Sequence, residues 1–283
     1  MCIVLMQLHH PDFALIIASN RDEFLLRPTA PSHWHSFPSP SEFEKISNEK
    51  PSLAHYRKDN QNYGQIDPNG ARPGSDSSHP SLQRPILSGI DAHPSGGGTW
   101  IGISKSGKLA ILTNFTELKP PPLPQGRGID AYRSRGKLTK DWLLTEGTET
   151  SLDQFLKSIE ERKDEWPGFN FMAGELFPRK QCSPRIGYVS NRTKVDEGIY
   201  YLPSIGDKNP SISLTCDGNN NGRTTNGCPS IGLSNSELQE PWSKVIQGKQ
   251  LFEEAISKYD ERKSNKGDGD EAQLAKDLFK VLA

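Results

Sequence analysis

Cys2-Ile3-Val4-Leu5-Met6 and Phe13-Ala14-Leu15-Ile16-Ile17-Ala18 are short apolar runs on either side of the turn-like His9-His10-Pro11-Asp12. Apolar at every position and bounded by turn residues, they read as a hairpin or as two neighbouring buried strands. Directly after the second run comes Ser19-Asn20-Arg21-Asp22-Glu23-Phe24, and then Arg27-Pro28. If the strands are antiparallel neighbours, this polar segment lies beside Cys2. Arg21 can then hold a carboxylate or depress the thiol pKa, and Asp22 can orient the α-amino group. The alternative is a strand-to-loop exit whose charges are solvated or paired internally.

Cys2 also carries two readings. The initiator methionine is usually trimmed when residue 2 is small, and trimming leaves a cysteine with a free α-amine of pKa about 7.7–8.0. Nucleophile and base then sit on one residue. Equally, a free cysteine behaves as a small buried hydrophobe.

Composition excludes several classes. Net charge is −1 and pI about 6.7, so nothing global favours nucleic acid or an anionic membrane. No stretch approaches the roughly 18 apolar residues of a membrane-spanning helix, and no secretory leader is visible, the run at 13–18 being short and without a basic flank. The expected location is cytoplasmic, with a weak or internal mitochondrial address left open. Cys2, Cys182, Cys216 and Cys228 lack Cys-x-x-Cys spacing, which argues against zinc and for reduced thiols. His9-His10 and the pair His33 and His35 around Trp34 can ligate a metal or haem iron, but no third ligand stands at a convincing spacing. Turn and surface positions are expected for them and for His93, with no metal and no resident cofactor.

The apolar share, 33%, is low because of two segments. Residues 36–85 and 207–230 are rich in proline and serine, or in asparagine and glycine. They bury too little to offset chain entropy and read as disordered insertions in a single domain spanning 1–283. Between them the pattern is mixed. Thr99–Ser104 and Lys108–Asn114 read as strands joined by Lys105-Ser106-Gly107, and Phe169–Leu176 and Arg185–Ser190 as further strands. The run Gly96-Gly97-Gly98 reads as a permissive turn, and Pro120-Pro121-Pro122 as a stiff connector. Ser134 opens a helix carrying Leu138, Trp142 and Leu143. Ser151 and Gln154 form a capping box for a helix with Phe155, Leu156 and Ile159. Pro241 starts a helix whose broad face holds Trp242, Val245, Ile246, Phe252, Ala255 and Ile256.

The segment Asn20-Arg21-Asp22-Glu23 resembles the signature of the NRDE family. Further segments resemble it in the same order: Met1-Cys2-Ile3, Arg27-Pro28 with His33-Trp34, Gly97–Ile103, Leu112-Thr113-Asn114, Ser134-Arg135-Gly136 with Asp141-Trp142-Leu143, Gly168–Phe171, Gly232–Asn235, and Pro241-Trp242 with Lys244-Val245. The resemblance implies an α+β fold, an N-terminal-nucleophile-hydrolase-like α-β-β-α sandwich. It also implies a role in secretory-pathway and Golgi organisation and in handling haem, lipids or acyl-coenzyme A, with a small-molecule ligand and unknown protein partners.

The N-terminus is similar to that of cysteine amidohydrolases. That similarity implies a C–N hydrolase as the alternative, with Cys2 as nucleophile, Arg21 and Asp22 positioning it, and Asn235 stabilising an oxyanion. Asn114 is the second candidate for that last role. NRDE proteins usually close with a strand, a turn and a last strand. This chain has instead a polar stretch and a helix-like segment from Glu271 to Ala283, so the sandwich is expected to lack its last strands.

Overall fold

A computed structural model of the chain describes residues 2–24, 26–27, 29–37, 85–91, 98–118, 132–145, 148–177, 184–193, 198–202, 230–266 and 270–282. The expected insertions at 36–85 and 207–230 fall outside them except at their ends, as do Gly96, Gly97, His93, the Pro120–Pro122 connector, Cys182, Cys216 and Cys228.

The fold is mixed, with antiparallel sheets and four helices among the described residues. The strands are β1 (Ile3–Leu8), β2 (Leu15–Asn20), β3 (Thr29–His35), β4 (Ile86–Asp91) and β5 (Ile101–Ser104), then β6 (Lys108–Asn114), β7 (Phe169–Glu175), β8 (Arg185–Ser190), β9 (Tyr200–Tyr201) and β10 (Ile231–Leu233). The helices are α1 (Gly136–Leu144), α2 (Leu152–Glu160), α3 (Ser243–Lys266) and α4 (Glu271–Val281). One sheet has three strands in the order β10-β1-β2, the other seven from β3 to β9 in sequence order.

Strand parity explains the layering. Alternate residues of a strand face opposite sides. Val4, Met6 and Leu8 of β1 share one core with Leu109 and Ile111 of β6 and with Met172 and Ile186 of β7 and β8. Leu5, on the other side of β1, packs with Ile16, Ala18 and the α3 residues Phe252 and Ile256. Ala110, Phe171 and Val189, on the outer side of the large sheet, pack with Trp142 of α1 and Leu156 of α2. β1 and β6–β8 are therefore buried on both faces, with apolar residues at most positions.

Local signals hold at several positions. Ser151 and Gln154 exchange both hydrogen bonds of the capping box at the start of α2. Gly107, at φ +88°, turns the β5–β6 hairpin, a conformation glycine adopts without a Cβ clash.

Other expectations need correction. α1 starts at Gly136, not Ser134, and its N-cap Arg135 makes no side-chain cap bond. Pro241 and Trp242 precede α3, and Ile246 is 37% exposed, while Val245, Phe252, Ala255 and Ile256 are buried as expected. His33 and His35 lie in a strand, β3, whose pairing with β4 shifts register between Ala30 and His33. His35 is buried and its Nε2 bonds Ser88 Oγ at 2.8 Å. His10 is also buried, held by Asp260 at 3.0 Å and by the Asp12 amide at 3.1 Å. Among the described residues no helix is long and apolar enough to cross a membrane.

Burial pushes His35 down to about 4, against about 6.5 when unfolded. Between those values the unfolded chain binds the extra proton, so stability is fully present above about pH 6.5 and falls as the pH drops towards 4. His35→Phe is expected to remove on the order of 3 kcal/mol of that acid sensitivity. Urea midpoints measured from pH 7 to 4 check this; equal slopes in both proteins would assign the effect elsewhere.

Candidate functional site

The β1–β2 register sets the site. Ile3 pairs with Asn20, so the residues that follow Asn20 emerge beside Cys2. The start of β1 is pinned on both sides: Ile3 N–H donates to Asn20 Oδ1 at 3.0 Å, and the Cys2 carbonyl accepts from Ser234 Oγ at 2.6 Å and Lys244 Nζ at 3.4 Å. Ser234 follows β10, and Lys244 lies in the first turn of α3.

Cys2, Arg21, Asp22 and Asn114 all line one cleft of about 330 Å³. Arg27, Asp91, Trp100 and Arg135 line it too. The Arg21 guanidinium lies over the Trp100 ring at 4.2 Å and donates to Glu23 at 3.4 Å. Arg27 grips Asp91 through two hydrogen bonds of 3.1 and 2.6 Å and reaches Glu23 at 3.7 Å. Arg135 donates to the Gly168 carbonyl at 2.8 Å, and Arg133 pairs with Glu165 at 3.0 Å.

One close backbone approach carries this wall. Gly98 lies so near Gly136 that a Cβ on Gly98 would stand 2.1 Å from the Gly136 carbonyl oxygen. The Thr99 amide donates to that oxygen at 3.3 Å, and the Thr139 hydroxyl bonds the Thr99 carbonyl. The next residue, Trp100, is tied to β6 by the Leu112 amide, which donates to its carbonyl at 2.7 Å.

Burial pushes the Cys2 thiol above its usual range, and the Arg21 and Lys244 charges oppose that rise. Burial also pulls Arg21 and Lys244 down. The site therefore holds a largely protonated thiol flanked by cations, and a base must take its proton before it acts as a nucleophile.

Of the sequence candidates, Cys2, Arg21, Asp22 and Asn114 come together, whereas Asn235 is not among the cleft-lining residues. Its carboxamide oxygen is buried and has no hydrogen-bond partner among the described residues, and its carbonyl accepts from the Thr116 amide at 2.8 Å. Sequence reasoning gave no site role to Arg27, Trp100, Arg135 or Lys244, although each stood in a segment carrying the family resemblance. Asp91 had no such signal.

The family whose model matches this chain is described as Transport and Golgi organisation 2, over residues 1–43 and 68–283. The chain is 34% identical to the human Transport and Golgi organization protein 2 homolog over 174 residues, 61% of this chain and 49% of the relative. For the Mus musculus homolog the identity is 33% over 172 residues, 60% of this chain and 48% of the relative. An uncharacterized Saccharomyces cerevisiae protein is 31% identical over 225 residues, 76% of this chain and 56% of the relative. The matches span about half the length of the mammalian relatives.

Proposed function

The chain belongs to the Transport and Golgi organisation 2 family, and from that premise we propose that it serves secretory transport and Golgi organisation by handling a small molecule in the cleft at Cys2. The ligand classes are those the NRDE resemblance implies: haem, a lipid or acyl-coenzyme A. The observation that carries this reading is the convergence on one cleft of segments far apart in the chain, Cys2, Arg21–Asp22, Trp100 and Ser134–Gly136. Its volume, about 330 Å³, falls in the range of small-molecule sites, about 300–1,000 Å³. Arginines beside an indole ring suit ligands that are acidic at one end and apolar at the other.

Equilibrium dialysis of the full chain against haemin, palmitate and palmitoyl-coenzyme A tests this reading. At least one is expected to bind saturably, and Arg21→Ala to weaken it by about 10-fold, the loss of one charged hydrogen bond. Absence of saturable binding by all three would overturn it.

A second reading, a cysteine amidohydrolase, is favoured by Cys2, Arg21 and Asp22 lining one cleft. Helices packed on the outer faces of two stacked sheets support this reading. In this reading the Cys2 thiolate attacks the amide carbon and the amine leaves with the thiol proton. Water then cleaves the acyl-Cys2 thioester, releasing the carboxylic acid and returning the thiol. Asn114, which lines the cleft, takes the oxyanion role in this reading. The mechanism requires removal of Met1, read by intact mass of untagged protein. Cys2→Ala is expected to abolish turnover of any amide cleaved by the trimmed protein; unchanged rates would exclude the mechanism.

A further inference from the structure

Resting on the cleft reading above, we propose that Arg135 anchors an oxyanion site, which takes the carboxylate or phosphate group of the molecule that enters the cleft. The arginines lining the cleft are not equivalent. Arg27 is committed to Asp91 by two hydrogen bonds, and Arg133 to Glu165 at 3.0 Å. Arg21 has its ring partner Trp100 and a 3.4 Å contact to Glu23. The Arg135 side chain, among the described residues, makes one hydrogen bond, to the Gly168 carbonyl at 2.8 Å, and no ion pair.

The acid that attracts Arg135 most is already engaged. Glu117 accepts from the Gly168 amide and from Arg192 Nε, each at 2.7 Å. A guanidinium does not shed its proton, so Arg135 keeps a partly buried charge that, among the described residues, feels Glu117 and Glu23 from a distance but has no ion-pair partner. Burial lowers its pKa, with Arg27 and Arg192 adding repulsion. Such a charge is costly unless something anionic joins it.

The surroundings favour the same guest. Arg135 immediately precedes α1, which has no acidic residue in its first turn and no side-chain cap. Gly136, the first residue of that helix, also lines the cleft. The positive end of the helix therefore adds to the guanidinium. The planar fork of arginine matches the two oxygens of a carboxylate or phosphate. An acid group seated there belongs to a ligand that shares the cleft with Cys2.

Calorimetric titration of pyrophosphate and, separately, octanoate into the full chain tests this. At least one probe is expected to bind with 1:1 stoichiometry, more weakly as salt rises. Pyrophosphate alone identifies a phosphate site, octanoate alone a carboxylate site. Arg135→Gln is expected to weaken binding by roughly 10- to 100-fold, and Arg135→Lys, which keeps charge but loses the fork, by several-fold. Lys258→Gln, on the exposed side of α3, should bind as wild type. If Arg135→Gln fails to fold, Arg135→Lys carries the test.

Wild-type affinity in a folded Arg135 variant, or no binding of either probe, would overturn the proposal. If both probes fail while palmitoyl-coenzyme A still binds, the oxyanion site falls and the cleft reading stands. If a probe binds while haemin, palmitate and palmitoyl-coenzyme A do not, the cleft reading falls and the site stands.

Discussion

Gly98→Ala is expected to destabilise the protein by about 3 kcal/mol or more and to lower its melting temperature by about 6–12 °C. The added Cβ would stand 2.1 Å from the Gly136 carbonyl oxygen and 2.3 Å from its carbon. Both obstacles are backbone, so no side chain can rotate away. Relief requires β5 and α1 to separate, and Thr99, Trp100 and Arg135 would move with them. The reciprocal change behaves differently. A Cβ on Gly136 would meet nothing closer than 3.6 Å, ordinary contact, so Gly136→Ala is expected to be neutral or slightly stabilising. Gly198→Ala, with nothing within 4 Å, is the blank. Thermal melts of the three variants decide it: similar melts for Gly98→Ala and Gly136→Ala would disprove the account.

Asn170→Leu is expected to cost about 3–5 kcal/mol, read from urea midpoints at constant slope. Asn170 is fully buried in β7 and uses both ends of its carboxamide. Its NH2 donates to the Ser236 carbonyl at 2.9 Å, the Ser234 carbonyl at 3.1 Å and Thr113 Oγ1 at 3.2 Å, and its oxygen accepts from the Tyr188 hydroxyl at 2.7 Å. Leucine has a similar volume but leaves those partners dry and unpaired, at about 1–3 kcal/mol for each buried group. Thr113→Val is expected to lose less, because the Ser234 carbonyl keeps Asn170. The damage also reaches the site, since Ser234 is the residue whose hydroxyl holds the Cys2 carbonyl. Alkylation of Cys2 by iodoacetamide should therefore change in Asn170→Leu even where the fold survives. A variant as stable as wild type would show the network to be dispensable.

How much of this was legible in the sequence follows from what each feature depends on. β1, β2 and β6–β8 announce themselves because both faces are apolar. The meeting of Cys2 with Arg21 and Asp22 needs only that β1 and β2 pair antiparallel. β3 escaped notice because Thr29-Ala-Pro-Ser-His-Trp-His has neither alternation nor an apolar run, and it tolerates Pro31 as the end strand of its sheet. The register shift after Ala30 blurs its period further. The Arg27–Asp91 pair joins residues 64 positions apart, and nothing local to Asp91 marks it. The start of α1 was placed early because serine is a good cap by type, whereas the N-cap is Arg135, which makes no side-chain cap bond. Asn235 has the right chemistry for an oxyanion through its carboxamide NH2, but the cleft lining includes Asn114 and not Asn235.

The pinning of Cys2 by Ser234 and Lys244 has a practical side. Whatever is joined upstream of Cys2 must leave from a residue that itself borders the cleft. A purification handle or fluorescent fusion placed there starts beside the cleft and is expected to compete with the guest proposed for it. The same handle beyond α4 departs from the layer on the far side of the small sheet. Comparing ligand uptake by oppositely tagged versions would therefore report on access to the cleft before any residue is changed.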